Sequence, residues 1–257
     1  MPRSTPTRAQ GFALVALAAV TALGQPAVTA TFAARAEQAF ARAQREFAAH
    51  PGEADAAWHL GRASYDWADF ATNAEHRAAV AQAGIAACRQ LLARDPQSAP
   101  GHYYLAMDYG ELAIAEAPSL AAYKLIGEIE HEFKAAADLD ERLDFAGAPR
   151  GLGLLYRDSP GWPVSIGSKR KAREWLDHAA ALAPDFPENQ MNLLESHVRW
   201  HQEAEAEKAW QTLAALWPAA RTNLAGVAWE QCWDDWTTRR AAAKTGFEKA
   251  FKRAPEP

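Results

Sequence analysis

PRGLGLLYRDSPGWPVSIGSKRKAREWLDHAAALAPDFP, residues 149–187, is the stretch from which the architecture can be read. Leu152, Gly153 and Tyr156 have the spacing L-G-x-x-Y, which suits a helix packed closely on a neighbour. Ala172, Leu176, Ala179 and Pro184 follow as small, large, small and terminating residues, which suits a second helix lying antiparallel to the first. One hairpin of this kind cannot bury its own apolar flank, so the spacing should recur along the chain.

It does recur. Leu105, Ala106 and Tyr109 repeat the first motif, as do Leu60 and Gly61, with Tyr65 one residue late. Leu60 to Leu105 is 45 residues, and so is Cys88 to Phe133 at the large position of the second helix. The pattern is that of tetratricopeptide repeats, whose standard length is about 34 residues. Both extended copies carry their excess between the two helices: Leu60 to Gly84 and Leu105 to Ile129 are each 24 residues where 13 is usual. The extra residues therefore belong to the hairpin tips, DWADFATNAEH and AIAEAPSLAAY, with Pro118-Ser119 predicted to start a helix. In the third copy the insertion is the loop DSPGWPVSIGS, and Ser168 is the predicted N-cap after it. The fourth copy is least modified: Leu193, Ala206, Trp210, Leu213 and Pro218 are separated by 13, 4, 3 and 5 residues.

The chain is accordingly expected to be all-α, a tetratricopeptide-like superhelix of about four antiparallel hairpins. The repeats fall near 53–97, 98–144, 145–185 and 186–219, within one domain at 31–257. Phe32 to Ala49 reads as a preceding amphipathic helix, and residues 220–254 as a capping helix with a stripe of Trp229, Trp233 and Trp236. That stripe is read as packing.

The first ten residues hold Arg3, Arg8 and no acid, and an apolar run of 14 residues, Gly11 to Gly24, follows. This suits the core of a signal peptide and is short for a bilayer span. Val28 and Ala30 provide small residues at three and one before a cut, so residues 1–30 are expected to be a signal peptide cleaved after Ala30, delivering a periplasmic protein. The other reading of this stretch is a buried first helix. The formal charge of −5 becomes about −7 after cleavage, a balance that argues against nucleic acid as a partner and against adhesion to anionic lipid. No later apolar run reaches the ~18 residues that span a membrane. Cys88 and Cys232 are too few for a disulfide framework or a zinc site, and several helices between them predict two unpaired thiols.

Candidate chemistry thins out on inspection. Gly161-x5-Gly167-Ser168-Lys169 lacks the spacing of a phosphate loop, which needs four residues between its glycines and lysine before the hydroxyl residue. Lys169-Arg170-Lys171 opens a helix, where it is either a solvated end or a hold for an anion. His197 and His201 have ligand spacing, but HVRWH lacks the glutamate of a zinc protease, and His197 falls at a packing position. With no nucleophile motif either, no enzyme, cofactor or metal is expected.

What remains is a surface. Positions 2, 5, 9 and 12 of each first helix form a stripe apart from the packing positions. It holds Asp55, Trp58, Arg62 and Tyr65; Tyr103, Met107 and Gly110; Arg150, Leu154 and Arg157; and Met191, Glu195 and Val198. In tetratricopeptide proteins this stripe lines the concave face. Its aromatic, methionine and arginine content suits a peptide segment or an apolar ligand with an anionic group. The other reading is packing on neighbouring hairpins.

HYYLAMDYGELA, RGLGLLYRDSPGWPVSIGS and KAREWLDHAAALAPDFPENQ together resemble the T component of tetratricopeptide-associated TRAP transporters, the TatT family, over roughly residues 53–218. The resemblance implies a non-catalytic periplasmic protein that partners the solute-binding protein of a TRAP transporter and has a groove or pore for a ligand. The competing expectation is a general periplasmic scaffold that grips a protein segment without a small molecule.

Overall fold

The structure, a computed structural model, describes residues 26–256, with side chains from residue 31 to 256. Residues 1–25 of the expected signal peptide lie outside the described residues, and the expected cut after Ala30 falls within the first helix. Among the described residues, ten α-helices follow one another: α1 Pro26–Ala49, α2 Ala54–Ala68, α3 Ala74–Leu92, α4 Ala99–Glu116, α5 Leu120–Leu139, α6 Leu143–Asp158, α7 Lys169–Leu182, α8 Pro187–Arg199, α9 Glu203–Asn223 and α10 Glu230–Phe251. Successive helices from α1 to α9 pack antiparallel, giving the hairpins α2–α3, α4–α5, α6–α7 and α8–α9 in an all-α repeat superhelix, and α10 packs back on α8. No helix among the described residues is long and apolar enough to cross a membrane.

Local chemistry places the helix starts. Asn73, Ser98, Ser119 and Ser168 each accept a hydrogen bond from the backbone N–H three residues on, satisfying a donor the helix itself cannot. The extra tip residues are spent mainly on longer helices, because only Ala117–Ser119 separates α4 from α5. One end differs from the sequence reading. Pro218, read as a terminator, lies inside α9, which runs on to Asn223, where Ala220 is buried. A proline removes only its own N–H, and tertiary packing of the next turn outweighs that loss. The break falls instead at Gly226, with φ +96, so the expected cap is a short 3-10 turn, Val227–Trp229, followed by α10.

Two apolar clusters fill the stack. The first runs from Tyr65 and Cys88 through the tyrosines of α4 and Phe133 to Leu152 and Tyr156. The second joins Leu154, Leu176, Met191 and Trp210 to the tryptophans of α10. Trp233 and Trp236 pack edge to face at 5.0 Å, and Trp229 lies 6.1 Å from Trp236, so the stripe packs the end of the array. Cys88 and Cys232 are both free and buried. The ends of the array also meet: Arg35 of α1 forms a 2.6 Å ion pair with Glu230, the first residue of α10.

Candidate functional site

The first helices of the hairpins turn their inner faces toward one another, and there the structure holds a chain of charges. Its centre is the entry to α6. Asp144, Phe145 and Ala146 have φ of 52°, 56° and 62°, three successive non-glycine residues in left-handed conformation. Such residues cost about 1–3 kcal/mol each and persist only where their surroundings over-determine them. Pro149 is tolerated just beyond, in the first turn of the right-handed helix, where no N–H partner is lost.

The over-determination comes from Arg150 and Asn189. Arg150, with no exposed surface, donates from Nη1 to the Phe145 carbonyl at 3.1 Å and to Asn189 Oδ1 at 3.2 Å, and from Nη2 to Asp144 Oδ2 at 3.3 Å. Asn189 Nδ2 donates to the carbonyls of Phe145, Ala179 and Ala183. Tyr103 donates from its hydroxyl to Asp144 Oδ2 at 2.8 Å. Burial pushes the Tyr103 phenol well up, and Asp144 beside it adds to the rise. Burial alone would lower the Arg150 pKa, but Glu188, Tyr103 and Asp144 raise it overall. The guanidinium therefore stays charged inside the protein.

A second knot lies one turn further along α8. Arg239 of α10 donates from Nε and Nη2 to the two oxygens of Glu195, both at 2.9 Å, and from Nη2 to Asn192 Oδ1 at 2.6 Å. Glu188, 3.5 Å from Arg239, is fully buried, and burial raises its pKa against the pull of Arg150 and Arg239. α10 thus closes the inner face with a charge-assisted fork rather than with apolar contact alone.

The stripe residues divide by exposure. Tyr65, Tyr103, Met107, Arg150, Leu154 and Met191 are buried, whereas Trp58, Arg62, Arg157 and Glu195 keep partial access to solvent. Trp58 lies parallel to Tyr104 at 5.8 Å and donates to Asp55 Oδ1 at 2.9 Å. Arg62 ion-pairs with Asp66 at 3.8 Å. Arg157 chelates Asp158 at 2.8 and 2.9 Å and reaches Ser196 at 3.3 Å. The polar members are thus joined through residues the pattern does not point to, above all Asp144, Asn189 and Arg239. The signal that could have raised Arg239 is a cation placed mid-way along an apolar cap. Nothing in DFA announces a left-handed turn, because glycine is absent.

Two clefts open at the seam between α1 and α10. On one side a cleft of about 780 Å³ is lined by Phe32, Arg35, Arg221, Trp233 and Asp234. On the other, about 350 Å³ lies between α1, α2 and the start of α10, with Arg42, Arg62, Asp66 and Cys232 around it. Arg221 stacks over Trp233 at 4.7 Å, so the larger cleft combines an aromatic wall with a cation. Elsewhere, His197 is buried with its Nδ1 3.1 Å from Gln202 Oε1, and among the described residues no group of His, Cys, Asp and Glu is placed to hold a metal ion.

A thermophilic TPR protein of Thermus thermophilus superposes on the chain with a TM-score of 0.61 at 19% identity, over 84% of this chain and 94% of that one. The chain has a TPR fold. At that identity the likeness extends to the fold alone. No family model and no curated protein matches the sequence.

Proposed function

We propose that the protein is a non-enzymatic, periplasmic TPR-type accessory protein that binds a protein partner. Within that class we assign it to a TRAP-type transporter, where it docks the periplasmic solute-binding protein and takes a small apolar or anionic ligand. The observation that carries the binding reading is the seam. Clefts on either side flank the ion pair between the first and last helices, and the Asp144 carboxylate is already bound by Arg150 and Tyr103. Groups that hold backbone and each other in place are poorly disposed to attack a substrate, whereas a cleft walled by Trp233 with Arg35 and Arg221 suits an apolar body with an anionic end. The transporter assignment rests on the sequence resemblance, whose most specific run, Leu152 to Ser168, is the α6 end and the tip loop after it.

Titration of the purified protein against the TRAP solute-binding protein of the same genome tests this reading. Saturable binding that weakens when Trp58 and Arg62 are replaced by alanine supports it, and so does a ligand seen by native mass spectrometry and lost in Trp233→Ala. No affinity for any solute-binding protein, together with no retained ligand, overturns the transporter role. The partly exposed Trp58 and Arg62 on the inner face also fit a general scaffold that grips a protein segment. Binding of extended peptides in place of a folded solute-binding protein would select that reading.

A further inference from the structure

Because the helices alternate in direction, the ends of α2, α4, α6 and α8 and the starts of their partners share one edge of the array. Contacts from hairpin to hairpin run along it: Arg77 to Glu111, Tyr156 to Glu130, Arg199 to Asp158 at 2.6 Å, and Lys169 over the Trp200 ring at 5.4 Å. Among the described residues, the most exposed large apolar side chains also stand on it, Trp162 at 88%, Leu120 at 82% and Val164 at 65%.

The loop that carries Trp162 and Val164 is built to present them. Its base is closed by pairing of Gly161 with Gly167, by Gly167 N–H to the Pro160 carbonyl at 2.9 Å, and by Ser168 N–H to the Tyr156 carbonyl at 2.9 Å. Gly167 lies so close to the Ser159 carbonyl that an added Cβ would sit 2.0 Å from it. Ile166 turns inward onto the core while Trp162 and Val164 turn out. Fixing an indole almost wholly in water gains nothing for folding.

Around Leu120 the charges are mixed, with Lys124 exposed and Glu116 partly so. Around the Trp162 loop they are basic: Lys169 and Lys171 lie over the Trp200 and Tyr156 rings, Arg170 forms a 2.6 Å ion pair with Glu174, and Asp158 is held between Arg157 and Arg199. The whole-chain charge of −5 hides this local balance. Leu120 and the Trp162 loop stand on separate tips with charged side chains around them, unlike the continuous apolar centre of a protein interface. A lipid headgroup layer accepts such side chains one at a time, with tryptophan at the carbonyl level and lysines against the phosphates. We propose that the hairpin-tip edge docks on a bilayer surface containing anionic lipid, inserting Leu120, Trp162 and Val164. This is independent of the transporter reading, since either can fail alone.

The test uses the chain freed of residues 1–30, because the described core begins at Phe32. It is sedimented with vesicles of phosphatidylcholine, and of phosphatidylcholine and phosphatidylglycerol at roughly three to one. Expected are binding to the anionic vesicles, weakening at high salt, and a loss of partitioning of roughly tenfold or more in the Leu120→Ser/Trp162→Ser double variant with unchanged circular dichroism. A chain that stays in the supernatant overturns the proposal, and so does a double variant that binds equally. A photoreactive residue at position 162 that captures a protein in cells, while the vesicles capture nothing, assigns the edge to a protein partner and likewise overturns it.

Discussion

The two edges of the array are built from the same helices and spend their residues differently. On the turn edge, where one hairpin hands over to the next, the connections are charged and cross-linked: Arg142 donates to the Leu182 carbonyl at 2.8 Å, and His178 lies 3.0 Å from Glu141. The left-handed turn at 144–146 belongs to this edge, and its polar atoms are bound by Arg150, Asn189 and Tyr103. On the tip edge, side chains such as Trp162 and Leu120 make little contact with the rest of the protein. Leu139, at 41% exposed, and Val227, at 64%, are exceptions on the turn side. The difference teaches that both edges are cross-linked, but the tip edge also holds, at Trp162 and Leu120, side chains that folding does not need.

Substitutions can break or sharpen that contrast. The largest effect is expected from Arg150→Met, which leaves Asp144 buried without its cation and frees the left-handed carbonyls; unfolding in urea should show a loss of about 3–5 kcal/mol. Asn189→Ala removes the amide that ties Phe145 to Ala179 and Ala183, and should cost about 1–3 kcal/mol in the same measurement. An Arg150 variant as stable as the parent would remove the turn edge from its structural role.

Glu111 tests the charged link between the first two tips. Burial raises its pKa from the ordinary 4.5 to about 7, with Arg77 opposing the rise. The carboxyl binds a proton more tightly folded than unfolded. The stability it contributes is therefore whole below about 4.5 and drains away as pH climbs through about 7. Glu111→Gln should flatten the fall in melting temperature between acid and neutral pH, and an unchanged slope would exclude this group as its source. The smallest effect belongs to Trp162→Ser, expected to shift unfolding free energy by no more than about 0.5 kcal/mol. A larger loss would place the indole in the fold and end the contrast.

Legibility in the sequence follows the same division. The hairpins are readable because their packing residues recur at fixed offsets, and Ser119 and Ser168 are readable because capping is a local matter. The stripe includes Tyr103, Arg150 and Glu195, but their partners lie beyond any repeat pattern. Tyr103 meets Asp144 across 41 residues and Glu195 meets Arg239 across 44, and no spacing rule joins a repeat to its cap. The turn at 144–146 escapes for another reason. Left-handed backbone is normally announced by glycine, and here long-range hydrogen bonds impose it on Asp, Phe and Ala.

The clasp between Arg35 and Glu230 has a mechanical consequence. A coil of hairpins with free ends stretches like a spring, each repeat yielding slightly against its neighbour. Pinning the first helix to the last turns that spring into a bracelet, so extension has to begin by undoing the fastener. Because both charges are about half exposed to water, the fastener is weak and sensitive to dissolved ions.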